Sequence, residues 1–459
     1  MIELPTQYRN IDDYTNGLCH FLSTPLVRQI TGGIHVNDAF ILNGWDALPR
    51  EWTEWWSSIP DYGQIQRTLI DSIDETNGNL ADEYSQGSSS PNIQPESLTK
   101  WLKRLKSLAF PRAQRHLHAH DLPVELAARM DTKKIAEVSL ALAHIRDVCK
   151  RKAIRRIVDM GSGQGYLSVS LAYLFPDFQI LSIDGSQSQI SGAKEFADSL
   201  AIPENRLRHL VSWIDSSMAL AGIIQDWLGD NDCIIVGLHA CGTLSETMIR
   251  YFVSIPRVVS IAVVGCCYNH ISPCSSTNPD GFPISSGMRE RGFSLSSTAL
   301  MTGCQAPNNW PKFNEQRRVS SPSPFAKRHL YRSILEKLLF DKRLNSEASS
   351  RLNWGIRKGD LATFRKFARR ALHSLKIADS KILDEELDKY WKMFENRDYE
   401  IAILWTLGVI CCKVVESAIA LDRCLFLAEN NAVDIDLVPI FDMAISPRNL
   451  MITANKTKT

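Results

Sequence analysis

The chain has 459 residues, enough for roughly two or three domains on the usual length prior. Hydrophobic residues make up 44% and charged residues 22%, a balance that excludes a disordered chain. A formal net charge of +1 excludes a global field for nucleic acid or membrane, so such a partner has to be met by a local patch.

The opening "MIELPTQYRN" lacks the basic and apolar regions of a secretory signal. The 11 cysteines are odd in number and scattered, which is no disulfide framework and suits a reducing intracellular compartment, cytoplasmic or nuclear. Residues 1–97 read as an N-terminal helical region with a linker. "GWDALPREWTEWWSSIP" concentrates Trp45, Trp52, Trp55 and Trp56, and "ETNGNLADEYSQGSSSPNIQPES" is polar and turn-rich. From Leu98 the chain turns basic, with Lys103, Arg104, Lys106, Arg112 and Arg115 in one run. A helix follows, with Val138, Ala141, Leu142, Ile145 and Cys149 on one stripe and Asp131 or Thr132 as its N-cap.

Strict alternation then begins. Strands are expected at "IVDM", "FQILSID", "LRHLVSWI", "CIIVGLHACG" and "VVSIAVVGCCYN", with helices between them, which predicts a doubly wound, Rossmann-like parallel α/β sheet over residues 98–324. Residues 325–430 read as an inserted helical block, and "DLVPIFD" and "NLMITANK" return to strand within 431–459. The apolar run Ile401–Cys412 is closed by Lys413 and is too short to cross a bilayer, so it reads as a buried helix.

The segment "RRIVDMGSGQGYLSVSLAYLF" joins a short strand, an acid, a glycine turn and a helix. A dinucleotide turn needs Gly-x-Gly-x-x-Gly, but Gly161, Gly163 and Gly165 are spaced differently and Tyr occupies position 166. No Gly-Lys-Ser/Thr follows, so a phosphate loop also fails. The turn suits a ligand with a cationic head and no pyrophosphate. Asp159 can attract a positive group, the glycines with Ser162 let backbone come close, and Asp184 at the next strand end can accept ribose hydroxyls. S-adenosyl-L-methionine has all these parts.

"VDMGSGQGYLS" and "SID" resemble the first two motifs of class I methyltransferases. "RMDTKKIAEV", "VGLHACGTLSE", "VGCCYNH", "GFPISS" and "LVPIFDMAISPRNLMITANK" are similar to blocks of the methyltransferase-like protein 25 family, which includes the ribosomal RNA adenine dimethylase domain-containing protein. Lys-Lys-x-x-Glu, "LHACG" and "CCYNH" also resemble tRNA 2′-O-methyltransferases. The resemblance covers about residues 98–455. It implies a seven-stranded sheet, S-adenosylmethionine as cofactor, RNA (ribosomal or transfer) as acceptor, and Lys134 or Glu137 lining the cofactor's amino-acid end. The rival acceptor is a protein, and a third reading is a binding protein that keeps the pocket without turnover.

The fourth and fifth strands should deliver the residues that face the methyl group. His239 is a candidate base because imidazole titrates near neutral pH; the alternative is a histidine that hydrogen-bonds a loop. Asn269 and Tyr268 are candidates to hold a substrate edge, with His270 as a second base. Cys241 reads as a small buried apolar group. His239, Cys241, Cys266, Cys267, His270 and Cys274 invite a metal, but no Cys-x-x-Cys is present and adjacent thiols after a strand should point apart, so none is expected. The "LHACG" strand end replaces the Asn/Asp-Pro-Pro-aromatic element of adenine N6 methylation, which argues against that reaction. The run 103–115, "RKAIRRI" at 151–156 with Arg151, Arg155 and Arg156, and Arg365, Lys366, Arg369 and Arg370 at 365–370 could form a basic groove for RNA or solvated helix faces.

Overall fold

Seven strands hydrogen-bond in the order β3-β2-β1-β4-β5-β7-β6 in the computed structural model of the chain. They are β1 (Arg156–Met160), β2 (Gln179–Asp184), β3 (Leu207–Val211), β4 (Cys233–Cys241), β5 (Val258–Cys266), β6 (Val433–Pro439) and β7 (Leu450–Asn455). Strands β1 to β5 are parallel, whereas β7 runs antiparallel to both β5 and β6. The structure describes residues 2–33, 36–73, 93–115, 118–215, 217–306, 324–344 and 357–457.

The central strands are apolar on both faces because helices cover both. Ile157, Val158, Ile234, Ile235 and Val236 are fully buried. Helices Thr132–Lys152, Tyr166–Leu174 and Gln187–Ser199 contribute Val138, Ile145, Leu171 and Phe196 to the core that these strands share. From β1 the chain winds outward to β3 and then returns to place β4 on β1's other side. Such a reversal opens a crevice at the carboxyl ends of the strands, where ligands bind in doubly wound sheets. The expected sheet is therefore present, with both returning strands.

The division into domains differs from the sequence reading. One compact unit comprises residues 1–23, 107–306 and 413–459, and the other comprises 24–106 and 307–412. Helix Ile11–Ser23 joins the sheet unit because Tyr14 is buried, stacks edge-on against Phe110 and donates its hydroxyl to the Leu108 carbonyl (2.8 Å). Helix Cys412–Glu429, expected in the inserted block, puts Glu416, Asp422 and Arg423 into the sheet unit's interior.

The second unit has its own core, built from Leu335, Leu338, Phe364, Phe367, Leu372 and Leu387 among others. The tryptophan-rich segment belongs to this unit. Trp52 packs against Trp56 and Trp101 while its indole N–H donates to Ser97 (2.8 Å), so the cluster is interior packing. The stretch Asp398–Glu429 is long and apolar enough to cross a membrane, but 83% of its apolar window is buried within the protein, as expected for core helices.

Candidate functional site

Strand β1 ends at Asp159 and Met160, and the chain then turns through Gly161, Gly163 and Gly165, all with positive φ (+74°, +53° and +71°). The conformation alone favours glycine at each. Two positions also lack room: a Cβ on Gly161 would lie 2.7 Å from the Leu244 side chain, and one on Gly165 would lie 2.8 Å from Ala193 Cβ. The first amides of the turn dock on β2, since Gly161 and Ser162 donate N–H bonds to the Ile183 carbonyl (2.8 and 3.1 Å). The Ser162 hydroxyl accepts from Ser182 (2.7 Å).

Asp184, at the end of β2, accepts from the amides of Gly163 (2.9 Å) and Ser186 (2.8 Å), one on each oxygen. These bonds fix its carboxylate beside the turn and leave each oxygen a lone pair for a hydroxyl. Asp159 lies deeper. It is almost fully buried and accepts from the Ser168 hydroxyl (2.5 Å). Burial pushes its carboxyl up to about 7, against the Ser168 bond and with the help of the Asp184 charge. It is therefore a buried acid beneath the turn, largely protonated below pH 7, and not an open contact.

Sequence reasoning missed Trp213, just beyond β3. Its ring passes so close to Gly185 that a Cβ there would meet it at 2.8 Å, yet the residue is 76% exposed. A bare indole face beside the Asp184 strand end offers a flat surface for stacking. The available signal was an aromatic in the loop after the third strand.

On the other side of the crevice, β4 carries a bulge. Gly237 pairs with Val263 and Ala240 with Gly265, so three steps on β4 match two on β5. Within the bulge His239 adopts φ +61°, rare for a side chain of this size. A bulge re-aims a side chain out of the pleat. Here it brings His239 Nε2 to 2.9 Å from Glu137 Oε2.

Glu137 is buried in helix Thr132–Lys152, whose N-cap is Asp131. It gathers Lys134 (3.1 Å), Lys133 (3.7 Å), His239 and the Ser446 hydroxyl (2.7 Å). Burial alone would raise its carboxyl, but the bonds from His239 and Ser446 and the charges of His239 and Lys134 bring it down to about 2. At neutral pH it is a pure acceptor, so Nε2 is the donor in this bond and Nδ1 is left without the carboxylate. Glu137 thus faces inward, where it accepts from His239, Lys134 and Ser446. Ser446, 309 residues away in sequence, had no signal beyond its place in a conspicuous block.

Tyr268 is not available as a substrate contact. It is buried, and its hydroxyl donates to Glu416 Oε1 (2.7 Å), a carboxylate also paired with Arg112 (2.6 Å) and Arg448 (3.0 Å). Burial and the Glu416 charge hold the phenol well above its usual range. Asn269 and His270 are exposed at the end of β5, with the Cys304 thiol bonded to Asn269 Oδ1 (3.4 Å).

Cys241 is exposed, not buried. The expected divergence of Cys266 and Cys267 also fails: Cys267 takes a left-handed conformation (φ +50°, ψ +48°) that ends the strand alternation. The Sγ atoms of Cys241, Cys266 and Cys267 lie 3.2, 3.5 and 3.6 Å apart. Its hydrogen bond from Cys266, opposed by burial and aided by Cys267, His239 and His270, draws the Cys241 thiol down to about 6. Cys274 is turned to the Pro279 carbonyl instead (3.5 Å).

The basic runs are partly neutralised. Arg112 pairs with buried Glu416, Arg115 with Asp436 (2.5 Å), Arg151 with Asp147 (3.2 Å) and Lys152 with Asp434 (3.4 Å). Arg156 donates to the Trp227 carbonyl and covers its ring. Arg365 meets Asp384 (3.4 Å) and Asp388, and Arg369 meets Asp379 (3.2 Å) and Asp384 (2.5 Å). Lys103 and Lys366 are exposed.

Residues 133–274 match a family model described as a methyltransferase domain, which spans the Lys-Lys-x-x-Glu helix, the glycine turn, β1–β5 and the thiol cluster. The chain is 29% identical over 258 residues to "Probable methyltransferase-like protein 25" of Mus musculus, covering 54% of this chain and 41% of that protein. The Homo sapiens protein of the same name is 27% identical over 265 residues, covering 54% and 40%. The chain thus spans about two fifths of the length of the curated relatives it matches. Among solved structures, a SAM-dependent methyltransferase from Geobacter sulfurreducens in complex with S-adenosyl-L-homocysteine is 16% identical, with a TM-score of 0.21, covering 31% of this chain and 55% of that one. The cofactor of such a domain is S-adenosylmethionine. The residues present fit it: an acid with free lone pairs beside the turn, an exposed indole, glycines that bring backbone close, and a buried carboxyl.

Proposed function

We propose that this chain, whose residues 133–274 form a class I methyltransferase domain, is an S-adenosylmethionine-dependent methyltransferase that modifies a protonated oxygen or nitrogen of RNA. The observation that carries the catalytic part is His239. It is bulged out of β4 and held at Nε2 by ionised Glu137, at the same end of the parallel sheet as the glycine turn. When bound, the cofactor supplies an electrophilic methyl group on a sulfonium. Asp184 holds the ribose and Trp213 the purine, while the field of Asp159 favours the cation. His239 Nδ1 takes the proton that the acceptor loses, and Glu137 keeps that nitrogen free and stabilises the imidazolium that forms. Asn269 and His270 offer polar edges to the acceptor. Alignment and exclusion of water supply the rest of the acceleration.

RNA is favoured as acceptor by the resemblance of the quoted motifs to RNA-modifying families. Because several basic side chains of these runs are paired with acids, the number of phosphates neutralised should be limited and the salt dependence moderate. Incubation of the protein with methyl-labelled cofactor and whole-cell extract tests the reading. RNase-sensitive label supports it. Protease-sensitive label would move the acceptor to protein. Cofactor binding without any label would leave a binding protein.

A further inference from the structure

Outside the proton-transfer pair, the densest group of metal-ligating atoms among the described residues is the thiol triad at the ends of β4 and β5. We propose that Cys241, Cys266 and Cys267 form a zinc site of three thiolates with the fourth coordination position open to solvent. The inference goes beyond the methyl-transfer reading and does not depend on it.

The geometry is set by backbone. Cys241 and Cys266 are register partners on adjacent parallel strands, which places their Sγ atoms 3.2 Å apart. The third sulfur arrives because Cys267 leaves the strand in a left-handed conformation, returning its side chain to the same point instead of the opposite face. Gly242, also at positive φ (+58°), donates its N–H to the Cys266 carbonyl (3.1 Å) and locks the two strand ends together. A non-glycine residue held in this region is strained and persists where its surroundings over-determine it, commonly at a ligand site. Zinc bound at about 2.3 Å from each sulfur in a tetrahedron needs edges of about 3.8 Å, so the observed 3.2, 3.5 and 3.6 Å require an expansion of a few tenths of an ångström.

The donor set selects the metal. Three soft sulfurs with no carboxylate in the group favour zinc over magnesium or calcium. Three protein ligands with one open position is the pattern of zinc sites that bind an exchangeable group, whereas structural sites are closed by four. The access route is visible: Cys266 is buried, Cys267 partly so, and Cys241 faces solvent.

The test uses the full chain and Zn²⁺ itself, with Cd²⁺ as the spectroscopic probe. Protein purified without chelator is expected to carry one zinc per chain. The metal-free protein is expected to develop thiolate-to-cadmium charge-transfer absorbance that saturates at one equivalent. Cys241→Ser changes an exposed side chain and should leave the fold intact, yet it is expected to weaken Zn²⁺ binding by more than about 100-fold, beyond what second-shell changes produce. Cys274→Ser should bind as the parent does. A cadmium signal that never saturates, or that survives in Cys241→Ser, would overturn the site. So would protein purified without chelator that holds no zinc and in which mass spectrometry finds a Cys241–Cys266 disulfide. Binding of S-adenosylhomocysteine, followed in parallel, separates failure of the zinc site from failure of the cofactor pocket.

Discussion

The residue that concentrates most of the proposed chemistry is His239. His239→Asn is expected to lower kcat by about 10²–10⁴-fold with cofactor affinity unchanged, because a lost general base acts on the chemical step. Single-turnover assays alongside calorimetric titration would check the split. Glu137 has a second signature. Its carboxyl is depressed from 4.5 to about 2, so the stability it contributes is fully present above pH 4.5 and lost as pH falls towards 2. Glu137→Gln should remove that acid sensitivity, a difference of about 3 kcal/mol at about 1.4 kcal/mol per pH unit. Urea unfolding at pH 6 and pH 3 for both proteins should already resolve about 2 kcal/mol of it, since pH 3 lies only about 1.5 pH units below 4.5.

Asp159 has the opposite sign. Its carboxyl is raised from 3.8 to about 7, so the folded state holds that proton longer and loses stability as pH rises from about 4 to 7. A cation in the pocket favours the ionised form. Binding S-adenosylmethionine below pH 7 should therefore release a proton, seen as a dependence of the calorimetric enthalpy on the buffer's ionisation heat. Asp159→Asn should abolish that dependence.

Among the elements, the glycine turn separates strain from crowding. Gly163→Ala meets nothing nearer than Gln189 Oε1 at 3.8 Å and should cost only the left-handed penalty of about 1–2 kcal/mol. Gly165→Ala adds the clash with Ala193 and should cost about 2–5 kcal/mol in all. Denaturant unfolding of the two variants distinguishes them. The turn was legible in the sequence because strand, acid and glycines are local and each follows from backbone sterics. All seven strands were legible for a similar reason: period and turn residues sit within a few positions of one another. What stayed hidden was non-local or conformational. No local pattern announces that Ser446 reaches Glu137, that Tyr268 turns inward to Glu416, or that a left-handed Cys267 gathers three sulfurs.

For the whole molecule, two cores in one chain suggest two unfolding events. Differential scanning calorimetry is expected to resolve two transitions, of which S-adenosylhomocysteine raises only that of the sheet unit. Phe367→Ala, in the other core, should lower the second transition and leave cofactor affinity unchanged. The sequence showed that helices interrupt the sheet before its last strands. It could not show that residues 24–106 and 307–412 share one core, because contacts between segments so far apart leave no periodic trace.

Strand β7 slips between β5 and β6, so during synthesis on the ribosome the Val258–Cys266 edge stays bare until Leu450–Asn455 has emerged. The same late stretch brings Ser446 to Glu137. A nascent or clipped polypeptide lacking it would fold its nucleoside cradle while Glu137, the carboxylate that holds the imidazole, still lacks its Ser446 donor. The order of translation would then make ligand capture the earlier competence and proton handling the later one.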